Sequence, residues 1–233
     1  MKQSVNISQR LERIAKWLPA GAHFVDVGSD HAYLPCYVCQ HDPTARAVAG
    51  ELNEGPFEAA QRTVKRFNLE NVIEVRRGNG FDVVNQNDVK EAVIAGMGGG
   101  LIASILERGQ DKLQGLSRVI AQPNVGAHLV RRTLMIHGFE IVHEDIIEEQ
   151  GHIYEMIVAD RTGRQSTLDE KSMLFGPILS KTKPAAFRKK WAYEQSKLEM
   201  IIEQMQQASE TDMDKIEQFK QRVAWIEEVL QDD

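Results

Sequence analysis

Cysteine is scarce in this sequence, with Cys36 and Cys39 the only two among 233 residues. Two thiols three positions apart rule out a disulfide framework, and a zinc site would need further cysteines that the chain does not have. A redox pair of the C-x-x-C type opens its helix. Here the pair falls inside the helix-compatible run 32–40, so both read as small buried helical residues. There is no stretch of about 18 apolar residues, which leaves no candidate membrane span. The first residues, Met1-Lys2-Gln3-Ser4-Val5-Asn6, lack the apolar centre of a signal peptide. The expectation is a soluble, cytoplasmic protein without membrane or metal. Internal repeats and low-complexity tracts are missing too.

What is present alternates between strand and helix. Residues 8–18 place apolar side chains at 11, 14, 15 and 18, the spacing of an amphipathic helix, with Ser8 as N-cap and Pro19-Ala20-Gly21 as its stop. Short apolar strands are predicted at 23–27, 46–51, 72–76, 92–95 and 118–121, and helices at 32–40, 56–67, 100–108 and 126–136. The runs 139–147 and 153–159, separated by five residues, predict an antiparallel hairpin at a sheet edge. Continuous apolar strands fit a sheet covered on both faces. Length and a 42% hydrophobic content allow one α/β domain plus an appendage. We expect a domain over 1–160 and a second over 161–233.

In that second part, Phe187, Trp191, Glu194, Leu198, Ile201 and Met205 form one stripe, and Met213, Ile216, Phe219, Val223, Ile226 and Leu230 another. They predict an antiparallel coiled-coil hairpin turning at 208–211, its first helix starting at or after Pro184 and its second capped by Thr211. The net charge of −6 argues against general nucleic-acid affinity, but it is unevenly spread. Residues 161–200 carry nine Lys/Arg against four acids, and 201–233 nine acids against three bases. A basic segment of this kind serves either as a phosphate-binding surface or as an ordinary solvated helix face.

The chemistry concentrates at strand ends. His23-Phe24-Val25-Asp26-Val27-Gly28-Ser29-Asp30-His31 is a strand–turn–helix unit of the kind that holds a nucleoside at the carboxyl end of a first strand. A dinucleotide fingerprint needs a second glycine where this chain has Asp30, and a carboxylate there would repel a pyrophosphate. It would welcome a ligand with a cationic centre and an ammonium group, and S-adenosylmethionine (SAM) has both. Glu51, 23 residues after Gly28, is placed to accept from a ribose diol, with Asn53 beside it. Gly78-Asn79-Gly80 allows an adenine to approach closely, its edge read by the Asn79 carboxamide. Gly96-Met97-Gly98-Gly99-Gly100 is too costly in entropy for an ordinary cap and is no P-loop, since no Gly-Lys-Ser/Thr follows it. Gln122-Pro123-Asn124 offers amides suited to an adenine edge. The cofactor residues are therefore expected to be Asp26, Gly28, Asp30, His31, Glu51, Asn53, Asn79, Gly80, Gly96 and Met97. Gln122 and Asn124 are expected to face a target base, and Arg10 a phosphate or the pocket rim.

Five βα units and a closing hairpin are the plan of class I SAM-dependent methyltransferases, a Rossmann-like, mostly parallel seven-stranded sheet with one reversed strand. The motifs at 26–35, 50–57, 95–99 and 122–124 resemble those of the bacterial TrmK family, and the resemblance covers nearly the whole chain. It implies transfer of the SAM methyl to N1 of adenine 22 in tRNA; separately, a monomer or weak dimer is expected. Where that family often has Gly-Asp-Gly-Leu, this chain has Gly78-Asn79-Gly80-Phe81, which keeps an acceptor but loses a charge. Two rival expectations are a non-catalytic RNA-binding protein on a methyltransferase fold and a nucleotide-dependent oxidoreductase. The missing glycine pattern counts against the second.

Overall fold

A computed structural model describes residues 4–85, 88–207 and 212–231. The chain divides into two compact units. One holds residues up to Asp145 together with Tyr154–Thr167, and the other holds Ile146–Ile153 with the residues from Leu168 onward.

The first unit contains β1 (His23–Val27), β2 (Arg46–Glu51), β3 (Ile73–Arg77), β4 (Glu91–Met97) and β5 (Arg118–Pro123). To these are added most of β6 (Phe139–Glu149) and β7 (His152–Arg161). The seven-stranded sheet has the order β3-β2-β1-β4-β5-β7-β6. Pairs among β1 to β5 are parallel, and β7 runs antiparallel to β5, with Arg118 opposite Asp160. The expected plan of five parallel strands and a closing hairpin is therefore the observed one. Gln150 and Gly151, both at positive φ, turn that hairpin, as a two-residue turn matched to strand twist requires.

Alternation along the strands sorts their side chains to two faces. Val25, Val27, Ile94, Val119 and Ile157 pack with Ile102 and Leu106 of α4 (Gly99–Arg108) and Val130 and Leu134 of α6 (Ala127–Ile136). The opposite face carries Phe24, Val93, Ile120 and Val158, all buried. By the same period-2 rule Asp26, Glu51 and Gln122 continue that second face. Both faces are covered, which is why these strands read as unbroken apolar runs.

Several boundaries differ from expectation for local reasons. Ser8 caps α1 (Gln9–Ala15) by accepting from the Leu11 N–H at 3.3 Å. The helix closes three residues early, in i→i+3 bonds from Trp17 to Ile14 and Leu18 to Ala15. Residues 33–41 form α2 (Tyr33–His41), with Cys36 and Cys39 buried inside it. The next helix, α3 (Glu54–Arg66), begins two residues before Pro56, because a first-turn proline gives up an N–H that has no helical acceptor anyway. The helix α5 (Gln110–Leu113) is a single extra turn.

One buried charge cluster stands out. Arg131 of α6 is 0% exposed and donates to Glu144 of β6 at 2.7 Å and Glu155 of β7 at 2.9 Å. Removing one partner of such a set leaves an uncompensated buried charge.

The second unit consists of α7 (Glu170–Phe175), α8 (Leu179–Thr182), α9 (Ala185–Gln206), α10 (Met213–Gln231) and the hairpin tip. Pro184 is the N-cap of α9, where the first long helix was expected to start. Contacts of Arg188 with Leu230 and of Gln195 with Glu227 run in opposite senses, so α9 and α10 are antiparallel. The buried stripe of α9 is Phe187, Trp191, Leu198 and Ile202, so Ile202 faces inward where Ile201 was expected. Phe175, Leu179, Ile226 and Ile146 complete this core. The predicted cap Thr211 lies outside the described residues.

Candidate active site

The order of strands reverses between β1 and β4, and the carboxyl ends of those strands are where α/β sheets hold ligands. Backbone bonds lace the loops there. The N–H groups of Gly28 and Ser29 both donate to the Gly50 carbonyl, at 2.9 and 3.0 Å, and Gly78 N–H donates to Glu51 at 2.8 Å. Across the switch point Asn124 N–H donates to Met97 at 2.8 Å.

Gly28 sits at φ +74°, and a Cβ on it would lie 2.2 Å from Met97 Cε, so the glycine makes room for the methionine. Asp30 adopts φ +57°, a left-handed position that aspartate tolerates better than most residues. Its N–H donates to Glu51 Oε1, while its carboxylate stays 72% exposed, 3.5 Å from His31 Nε2. His31 in turn stacks on Tyr33. Burial pushes the Glu51 carboxyl above its ordinary value, opposed by the Asp30 N–H. Asn53 and Asn79 are exposed at the N-caps of α3 and of the short 3-10 turn Gly80–Val83, and neither side chain is spent on capping. Gly80 lies at φ +60°.

Asp26 is different from its neighbours in the motif. It is buried beneath the turn and accepts from Ser29 Oγ at 2.6 Å. Burial pushes its carboxyl up to about 7, the Ser29 bond lowers it, Glu51 raises it and Arg10 lowers it again. Its place is under the turn rather than in the crevice.

The second cluster lies on the other side of the switch point. The β4–β5 register shifts between Ala95 and Met97, leaving Gly96 as a bulge at φ +76°, a device that redirects backbone next to sites. The Gly96 N–H donates to Gln122 Oε1 at 3.1 Å, and Arg10 donates to the same oxygen. Gln122 Nε2 donates to Asn124 Oδ1 at 3.2 Å, and Asn124 Nδ2 donates to the Gly96 carbonyl at 2.9 Å. Gln122 is 0% exposed, so the expectation that it meets a base is not what the geometry offers. Its amide is committed to protein groups, and Asn124 is the exposed end of the ring.

Arg10 is aimed at Gln122 because α1 is held against β6. Arg13 donates to both Asp145 oxygens at 2.8 Å, and Trp17 packs on His143 with ring centroids 3.6 Å apart and the rings tilted by 31°. The Arg10 guanidinium also lies over the Tyr154 ring at 5.1 Å. Tyr154 and Ser29 were not singled out from sequence. Nothing local marks Tyr154, which is 144 residues from Arg10 in the chain. No group of three His, Cys, Asp or Glu able to hold a metal is found among the described residues.

Comparisons with known proteins bear on this geometry. The family model of TrmK, tRNA (adenine(22)-N(1))-methyltransferase, matches residues 24–228. The Bacillus subtilis tRNA (adenine(22)-N(1))-methyltransferase is 41% identical over 97% of this chain and 98% of that protein. A Streptococcus pneumoniae protein solved with S-adenosyl-L-methionine superposes with a TM-score of 0.88 at 39% identity, covering 97% of this chain and all of that one. Mycoplasma capricolum TrmK in complex with S-adenosyl-homocysteine has a TM-score of 0.84 at 27% identity, covering 96% of this chain and 97% of that one. The chain belongs to the TrmK family of tRNA (adenine(22)-N(1))-methyltransferases.

Proposed function

We infer that the chain transfers the methyl group of S-adenosyl-L-methionine to N1 of adenine 22 in tRNA. The observation that carries this reading is the pair of acceptors, Asp30 and Glu51, fixed by one backbone bond at the switch point. Beside them Gly28 is kept free of a side chain by Met97. The acceptor set fits the cofactor. An ammonium and a ribose diol need acceptors, which two carboxylates provide, and no second glycine prepares the turn for a pyrophosphate.

When bound, SAM supplies an electrophilic methyl on a cationic sulfur. We assign Gly28, Asp30, His31, Glu51, Asn53, Asn79, Gly80, Gly96 and Met97 to its side of the crevice. Asp26 supports the turn through Ser29. Adenine N1 presents a lone pair, so a strong general base is not required. The work left to the protein is positioning and exclusion of water. Asn124 is assigned to the adenine, with its amide held by Gln122 and Gly96. Gln122 and Arg10 are positioning residues for it. The catalytic part in this reading is the first unit, which differs from the expected span 1–160 by giving up Ile146–Ile153 to the second unit and running on to Thr167. The basic stretch 161–200 contributes phosphate contacts to tRNA, and the protein works in the cytoplasm as a monomer or weak dimer.

Incubation with labelled SAM and unmodified tRNA, followed by mapping of the modified base, tests the reading. Label at N1 of adenine 22 supports it. Tight tRNA binding without transfer would favour the non-catalytic alternative.

A further inference from the structure

The loops after β4 and β5 meet backbone to backbone. Gly99 N–H donates to the Val125 carbonyl at 2.7 Å, and a Cβ on Gly99 would lie 2.1 Å from the Gly126 oxygen. Only glycine permits that approach, and Gly126 itself needs φ +71°. The contact locks residues 98–99 to residues 125–126 and turns the Val125 side chain into solvent, where it is 72% exposed. Leu101, in the first turn of α4, is 52% exposed. Two exposed branched apolar side chains thus flank this contact, Val125 on the loop after β5, adjacent in sequence to Asn124, and Leu101 in the first turn of α4. Behind them α6 carries no acidic residue, and its exposed positions are Arg132 and Ile136.

A base inside folded RNA must leave its stack before a site of this kind can act on it. Proteins that open a stack insert apolar side chains into the gap. We propose that Val125 and Leu101 form a prong that takes the place vacated by the target adenine, with Arg132 contacting a phosphate of the flanking strand. The proposal rests on the methyl-transfer reading above. A protein or lipid partner seated on these residues would cover the mouth beside Asn124, whereas the strand that delivers the adenine has to pass there. The absence of acids on α6 suits that strand's charge.

The test uses the full chain with Val125→Ala, Leu101→Ala, the double variant, and Arg132→Gln. The substrates are tRNA, a short unstructured oligonucleotide carrying the same adenine, and tRNA with 2-aminopurine at the target position. The double variant is expected to lose at least tenfold in kcat/KM for tRNA and most of the fluorescence rise on binding. Its SAM affinity by calorimetry and its activity on the oligonucleotide should stay within about twofold of wild type. Arg132→Gln should lower the slope of log affinity against log salt by about one. Unchanged kcat/KM and fluorescence in the double variant would overturn the prong. So would an equal loss on tRNA and oligonucleotide, which would make the pair part of the pocket wall. Failure of the wild-type protein itself to methylate tRNA would instead overturn the activity reading, and the prong with it.

Discussion

Asp26 illustrates how one buried carboxylate sets a pH dependence. Its pKa is raised from 3.8 to about 7, chiefly by burial. Between those values the folded chain keeps a proton that the unfolded chain has lost. Stability therefore falls as pH rises from about 4 to about 7 and is level above that. Asn keeps an acceptor for Ser29 and has no charge to desolvate. Asp26→Asn should thus flatten the dependence, gaining on the order of a few kcal/mol at pH 8 and little at pH 4. Urea unfolding at the two pH values checks it, and parallel curves for both proteins would disprove it. Asp30→Asn separates the neighbouring carboxylate, because it is exposed, supports nothing in the core and keeps a residue that tolerates the left-handed backbone. Calorimetry should show weaker SAM binding with an unchanged unfolding midpoint. Unaltered affinity would remove Asp30 from the site. The two thiols bear on chemistry that was ruled out at the start. Burial pushes both Cys36 and Cys39 up to about 12, so neither should react with a thiol reagent at pH 8 until the chain is unfolded.

At the level of elements, the strands were the most legible part. β1 and β2 fall on the residues expected, because each is an apolar run closed by a glycine or acid at its carboxyl end. The turn of Gly28 and the bulge of Gly96 were visible as glycines in costly places, although only the pairing of Met97 with Pro123 makes Gly96 extend β4 rather than end it. The ring of Arg10, Gly96, Gln122 and Asn124 was half legible. Its residues were picked out, but their order from core to solvent was not. That order depends on contacts between residues 10 and 122, which no local pattern encodes. The ring also predicts a kinetic signature. Gln122→Leu removes the acceptor of the Gly96 N–H and of Arg10, and should cost about 1–3 kcal/mol of stability. If Gln122 only positions Asn124, kcat should fall at least tenfold while KM for SAM changes little. Gln122→Glu, which keeps the acceptor oxygens but loses the Nε2 donor to Asn124, should recover part of the stability and not kcat. Equal rates for Gln122→Leu and wild type would exclude the role.

For the molecule as a whole, charge distribution matters more than net charge. The formal value is −6, yet the bases gather in 161–200. Lys181→Gln with Lys197→Gln, both on the helices of the second unit, should reduce the salt slope of tRNA affinity by up to about two. An unchanged slope, with a change of mass in light scattering, would assign this segment to self-association. The helical periods were readable in advance because α9 buries one stripe and α10 buries Ile216 and Ile226 of the other, although Met213, expected in that stripe, is 65% exposed. The inward position of Ile202 was not, since Ile201 and Ile202 are chemically alike and only packing chooses between them.

The shared hairpin carries a further lesson about connectivity. Strand β6 begins and strand β7 ends in the first unit, but their tip, Ile146–Ile153, belongs to the second, where Ile146 is buried among Phe175, Leu179 and Phe187. The polypeptide therefore passes between the units three times. A single protease nick after Thr167 leaves two fragments, and the larger one retains a piece of the smaller one's core. Such fragments should stay associated through ordinary gel filtration and separate only in denaturant, so the helical appendage is woven into the chain rather than hung from its end.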